Sequence, residues 1–146
     1  MDMSGQYRIP ADINTVWTAL NDPDILENCI PGCEDLEKES DTALNARVML
    51  KIGPVKARFS GRVTLEDLKP PHSYSINGEG EGGVAGFAKG GADVTLTEDG
   101  SETVLDYTAK AQVGGKIAQL GSRLVKSTAA KLADKFFDNF SKAVAG

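Results

Sequence analysis

From Gly114 to Gly146 the apolar residues recur at steps of three and four: Ile117, Leu120, Leu124, Leu132, Phe136, Phe140 and Val144, with Gly121 and Thr128 on the same line. That is the period of one helix face. No proline interrupts the run, so it predicts one helix of roughly 30 residues, about 115–144, some ~45 Å long at 1.5 Å per residue. Before it the period is two. Met3, Gly5, Tyr7 and Ile9 alternate with polar neighbours up to Pro10 and predict a first strand. Ala11–Leu20 then places Ile13, Val16, Trp17 and Leu20 on one helix face, and Asn21-Asp22-Pro23 both stops that helix and starts a short second one ending near Cys29.

Alternation resumes at Glu34 and is punctuated by Asp41-Thr42, Gly53-Pro54, Pro70-Pro71 and Asp99-Gly100, which are turn signals. The clearest strand, Val55 to Glu66, puts its odd-numbered residues inward. Seven glycines fall between Gly78 and Gly91; they predict either a loop or bulge at 79–86 or strands closely approached by another backbone. The order is therefore β-α-α-β-β-β-β-β-β-α. It describes one α+β domain over 1–146, in which a curved antiparallel sheet of seven strands grips a long C-terminal helix.

The predicted inward face is rich in small residues: Ala46, Ala57, Gly61, Gly78, Gly90, Ala92, Ala109 and Ala111, with Gly121 opposite on the helix. Interiors are packed to crystal-like density, so such a face demands either a close helix approach or a cavity for a ligand. The remaining lining would be apolar. The candidate ligand-binding residues are Leu26, Ile30, Leu50, Phe59, Gly61, Tyr74, Ile76, Leu105, Tyr107, Ile117, Leu120, Gly121 and Leu124.

Charge adds a second surface. Residues 114–146 carry six basic and two acidic side chains, whereas the rest of the chain carries ten basic and nineteen acidic. Lys126, Lys131, Lys135 and Lys142 lie off the apolar stripe, and Phe137 is one residue, about 100°, from Phe136. An aromatic among lysines on a helix exterior is a candidate contact with a partner or an anionic bilayer. The alternative is an ordinary solvated face. A sequence pI near 4.9 and the lack of an arginine cluster argue against nucleic acid. No apolar run approaches the ~20 residues of a spanning helix, and residues 1–6 lack the basic and apolar regions of a signal peptide. The expectation is a cytoplasmic, soluble protein, peripheral at most at the inner face of the membrane.

Dedicated chemistry is scarce. Cys29 and Cys33 are four apart, but zinc needs about four ligands and His72 is the one histidine; two reduced structural cysteines are expected, with no metal and no cofactor. Gly78-Glu79-Gly80-Glu81-Gly82-Gly83 fits a dinucleotide fingerprint in letters only, because a strand follows it and the glutamates repel phosphate. His72 beside Pro71 reads as a turn residue. The inward tyrosines Tyr7, Tyr74 and Tyr107 are the ionisable groups that an enzyme acting on a hydrophobic molecule could use here.

Four stretches carry a resemblance. Pro10–Trp17, Leu20-Asn21-Asp22-Pro23, Cys29-Ile30-Pro31-Gly32-Cys33-Glu34 and Val113–Leu124 closely resemble the CoxG family of carbon monoxide dehydrogenase subunits, which belongs to the START-like, polyketide cyclase-like helix-grip superfamily. The resemblance implies a seven-stranded sheet around the C-terminal helix, with an apolar cavity between them. It further implies a non-catalytic protein that binds an isoprenoid quinone or lipid and assists a carbon monoxide dehydrogenase-type molybdenum hydroxylase in membrane recruitment or electron-acceptor delivery. A cyclase- or hydrolase-like enzyme and a purely structural adaptor are the competing expectations.

Overall fold

Seven strands form one antiparallel sheet in a computed structural model that describes residues 1–145. In chain order the elements are β1 (Asp2–Ile9), α1 (Ile13–Leu20), α2 (Pro23–Cys29), β2 (Cys33–Ser40), β3 (Ala43–Ile52), β4 (Val55–Lys69), β5 (Ser73–Glu81), β6 (Phe87–Asp99), β7 (Glu102–Gly114) and α3 (Ser122–Val144). The sheet order is β1-β7-β6-β5-β4-β3-β2, a run of hairpins closed at one end by β1. The strands β1 and β2 that flank α1 and α2 are therefore the two edges of the sheet. The helical pair must bridge them.

Local chemistry explains that bridge. Asp12 caps α1 by accepting hydrogen bonds from the backbone N–H of Thr15, at 3.3 Å, and from its hydroxyl. Asp22 caps α2 in the same way from the N–H of Asp24 at 3.0 Å, with Pro23 in the first turn where its missing N–H costs nothing. Ile13, Val16, Ala19 and Leu20 are buried, so α1 seats its apolar face on the sheet.

The concave side holds two separate apolar clusters. The larger one joins Ile9, Val16, Leu20, Tyr74, Val94, Leu96, Leu105 and Phe140, with Trp17, Phe136 and Phe137 packed on it. The smaller one joins Ile52, Phe59, Ala85 and Ile117, with Leu50, Val55, Val113 and Leu120 around it. Helix α3 approaches the sheet most closely at β1 and β3, near its margins.

Two expectations change. The C-terminal helix does not run unbroken from residue 115. Gly115–Leu120 is a 3-10 turn, Gly121 stands at φ +93° and ψ 146°, and the α-helix begins at Ser122. A left-handed φ is available to glycine at little cost, so Gly121 is a break and not an interior helix residue. Beyond the break the stripe shifts in phase, and Val125 is buried while Leu124 is exposed. Gly146, the expected terminus of that helix, lies outside the described residues. The glycine-rich segment resolves toward strands: β5 reaches Glu81 and β6 starts at Phe87, separated by a 3-10 turn at Gly83–Ala85. A Cβ on Gly90 would overlap the Lys110 carbonyl oxygen, which is the close backbone approach that glycine permits.

Candidate functional site

The sheet register shows why the two clusters do not meet. One inward rung, Tyr107–Val94–Tyr74, belongs to the larger cluster. The next is Met3–Ala109–Ala92–Ile76, and the two after it are Ala111–Gly90–Gly78 and Val113–Ala88–Gly80–Gly61–Ala46. Only beyond them does bulk return, with Phe59 and Ile117. Along the strands the floor thus reads large, small, large. A band of alanine and glycine leaves space that α3, held at the margins, does not fill.

A cavity of about 790 Å³ opens there, bounded by Met3, Ile76, Ala92, Tyr107 and Ala109 of the sheet and by Lys126 and Ala130 of α3, with Ser75, Asn77 and Asp93 at its polar margin. The size falls in the range of small-molecule sites. A second depression, about 850 Å³, lies on the face turned away from α3, among Asp35, Glu37, Arg47, Arg62, Glu79 and Lys89. Its charges alternate across the strands and compensate one another, as in the Arg62–Glu39 pair at 3.1 Å. The cavity under α3 is the better candidate because its floor is both apolar and concave.

Aromatic contacts latch α3 over that cavity. The Tyr7 ring stacks on Phe137 with centroids 4.1 Å apart, and its hydroxyl donates to the Asp134 carboxylate at 2.6 Å. Asn139 Nδ2 donates to the Cys29 carbonyl at 3.0 Å and ties α3 to α2. Gly5 lies under the Tyr107 ring, where a Cβ would come within 2.6 Å of it. Burial, and then the hydrogen bond to Asp134, raises the Tyr7 phenol well above its ordinary range. Burial alone pushes Tyr74 up to about 12. Both therefore stay protonated at neutral pH, as hydrogen-bond donors and not bases.

The proposed ligand residues separate into four groups. Ile76 and Tyr107 border the cavity, and Gly61 belongs to the small band. Leu26 and Ile30 are half-buried on α2 and its C-cap. Tyr74 and Leu105 lie in the larger cluster, and Leu50, Phe59, Ile117 and Leu120 in the smaller; these side chains flank the open space. Gly121 and Leu124 are displaced by the break in the helix, and the Leu124 methyl instead reaches the turn between β3 and β4 at Gly53.

Phe137 is corrected outright: it is not exterior but half-buried between Tyr7 and Phe136. Of its lysine companions, Lys126 borders the cavity, Lys142 pairs with Asp138 at 3.1 Å, and Lys131 and Lys135 are exposed. With the aromatic turned inward, that helix exterior is a solvated charged face. Met3 and Ala130 are wall residues that the sequence pattern did not single out. Alternation with Tyr7 could have found Met3; Ala130 is hidden when the helical phase is counted through Gly121.

Cys29 is buried and Cys33 half-buried, both as free thiols, and burial pushes both up. Among the described residues no group of three or more His, Cys, Asp or Glu side chains is placed to hold a metal ion. No helix among them is long and apolar enough to cross a membrane.

Comparison with known proteins sets this geometry among relatives. The family model for the carbon monoxide dehydrogenase subunit CoxG matches residues 5–145. The crystal structure of a conserved protein from Geobacillus kaustophilus is 34% identical, covering 99% of this chain and 95% of that one, with a TM-score of 0.94. A START superfamily protein from Mycobacterium smegmatis is 13% identical over 98% and 96% of the two chains, with a TM-score of 0.76. The Zhui aromatase/cyclase from a Streptomyces species is 11% identical over 99% and 93%, with a TM-score of 0.72. The last two share the fold alone. A comparison with curated proteins returned no match.

Proposed function

Because this chain belongs to the CoxG family of carbon monoxide dehydrogenase subunits, we propose that it is a non-catalytic carrier holding an apolar ligand between sheet and helix. The ligand class is an isoprenoid quinone or similar lipid, and the carrier serves a carbon monoxide dehydrogenase-type molybdenum hydroxylase by delivering its electron acceptor or bringing it to the membrane. The observation that carries the reading is the Ala/Gly band, which leaves about 790 Å³ open above an apolar floor in the middle of the domain. Burying apolar ligand surface there is favourable at ~25 cal/mol per Å².

The protonation of Tyr7 and Tyr74 supports a binding role over an acid–base one. A helix-grip enzyme of cyclase or hydrolase type would need a positioned base, and these two phenols cannot supply it near neutral pH. Native mass spectrometry of the purified protein, followed by delipidation and addition of menaquinone or ubiquinone, tests the proposal. A bound apolar species that exchanges for quinone is expected. Protein that is consistently empty and takes up neither quinone overturns the carrier; retained binding of the hydroxylase in that case would leave a structural adaptor.

A further inference from the structure

We propose that the end of the molecule formed by the β3–β4, β5–β6 and β7–α3 connections is a docking surface for anionic lipid headgroups. The three connections form one body. Ile52, Ala85 and Ile117, one from each, share the smaller cluster with Phe59. A Cβ on Gly115 would stand 2.6 Å from Gly86 Cα, and one on Gly53 2.9 Å from Leu124 Cδ2.

What this end presents to solvent is apolar at its apex and cationic at its rim. Val84 tops the turn at Gly83–Ala85 and is 92% exposed, while Leu124 beside the Gly53 turn is 37% exposed. Around them stand Lys51, Lys56, Lys116 and Arg123, all exposed and none ion-paired among the described residues. The stretches 50–56, 82–88 and 114–125 contain no carboxylate, although the chain as a whole is net −5.

Two of these placements work against the fold itself. Lys51 and Lys56 are direct cross-strand partners, and like charges opposite one another are destabilising. Arg123 occupies the first turn of α3, where no acidic residue is present and where acidic residues are the favoured ones. A negatively charged surface relieves both. A bilayer also accepts Val84 and Leu124 at its interface, which an acidic soluble partner or a free anion does not require. With no helix among the described residues able to cross, the contact is peripheral. A smaller cavity of about 370 Å³, bordered by Val113, Ser122 and Val125, opens beside this end.

The surface does not depend on the carrier reading, and the two tests fail separately. The delipidated full chain is sedimented with phosphatidylcholine vesicles, with and without phosphatidylserine, at low and high salt. Binding to the anionic vesicles alone is expected, weakened by salt. Lys51→Gln with Lys56→Gln should lower the partition coefficient about 25-fold, roughly five-fold per lysine, and Val84→Asp about tenfold. Both variants should keep the wild-type melting temperature or gain slightly, because the altered side chains are exposed. Lys131→Gln with Lys135→Gln should change binding less than about twofold. Absence of wild-type binding, equal binding to neutral vesicles, losses that follow Lys131 and Lys135 instead, or displacement by inorganic phosphate at matched ionic strength would each overturn the assignment.

Discussion

Substitution of leucine for both Ala92 and Ala109 distinguishes a real cavity from a close helix approach by the sign of its effect on stability. The two alanines are direct partners across β6 and β7, both half-buried and both on the wall of the open space. Each Ala→Leu change adds three carbons. In vacant apolar space these are worth ~0.8 kcal/mol apiece, or about 2.4 kcal/mol per site. Partial exposure of the site and residual burial in the unfolded chain reduce this to about 1 kcal/mol. In a filled interior the same carbons force strain costing ~1–3 kcal/mol per site. The double variant should therefore gain about 2 kcal/mol if the band is hollow and lose about 2–6 kcal/mol if it is packed. Urea unfolding reads the difference as a raised or lowered midpoint at constant slope, and native mass spectrometry of the same protein reads ligand occupancy. A lowered midpoint with unchanged slope refutes the cavity. A raised midpoint with undiminished quinone uptake would keep the cavity and refute its role as the ligand site.

Phe137→Ala should destabilise by about 3 kcal/mol, because it removes the ring stacked on Tyr7 at 4.1 Å and leaves a void; a change within ~0.5 kcal/mol in thermal unfolding would return Phe137 to the surface. Gly121→Ala should cost about 1 kcal/mol even though a Cβ there meets nothing within 4 Å, since φ is +93°; a more stable Ala or Leu variant would mean the segment is helical after all. Tyr74 gives a pH signature. Its folded pKa is raised to about 12 from 10.0, so the native state keeps a proton that the unfolded chain releases. Stability is full below pH 10 and falls between pH 10 and about 12, by up to ~1.4 kcal/mol per pH unit. Tyr7 shifts in the same direction. Tyr74→Phe should flatten the decline in midpoint measured across this range, and an unchanged slope would show that Tyr74 is not the titrating group.

How much can be read from the chain divides along physical lines. Strand periodicity is fixed in steps of two, so the inward row of β4, Val55 through Leu65, emerges with the correct face, and the rungs of Ala and Gly are visible before any register is known. Caps and turns are equally legible, because Asp12, Asp22-Pro23 and Gly53-Pro54 act within a few residues of themselves. The helix is where the reading fails. Steps of three and four tolerate a slip of one residue, and a glycine in a helical pattern does not announce whether its φ is positive. The break at Gly121 rotates the expected stripe from Leu124 to Val125 and hides Ala130. Phe137 is misplaced for a related reason: the apolar face of α3 is wide enough to hold both Phe136 and Phe137, and Tyr7, the partner that draws Phe137 inward, lies 130 residues away in sequence.

A hollow middle is tolerable here because the two ends of the grip carry the packing. At the Phe140 end, eleven buried residues form the larger cluster, reinforced by the Tyr7 and Phe137 stack; at the Ile117 end, four form the smaller. An interior void costs most where its lining has lost partners on every side. The small band instead sets its glycines against neighbouring backbone, as Gly90 does against the Lys110 carbonyl and Gly61 against Glu79 O, at 3.0 Å from a Cβ position. Contacts are therefore missing on the α3 side alone. The asymmetry of the clusters also fixes where α3 can lift at least cost. Local opening follows the region with the fewest buried apolar contacts, which is the end carrying the Gly121 break, the 3-10 turns and Val84. Entry to the cavity and the proposed lipid-docking surface thus fall at the same end of the molecule, and the aromatic latch at the other end holds the fold together while that end opens.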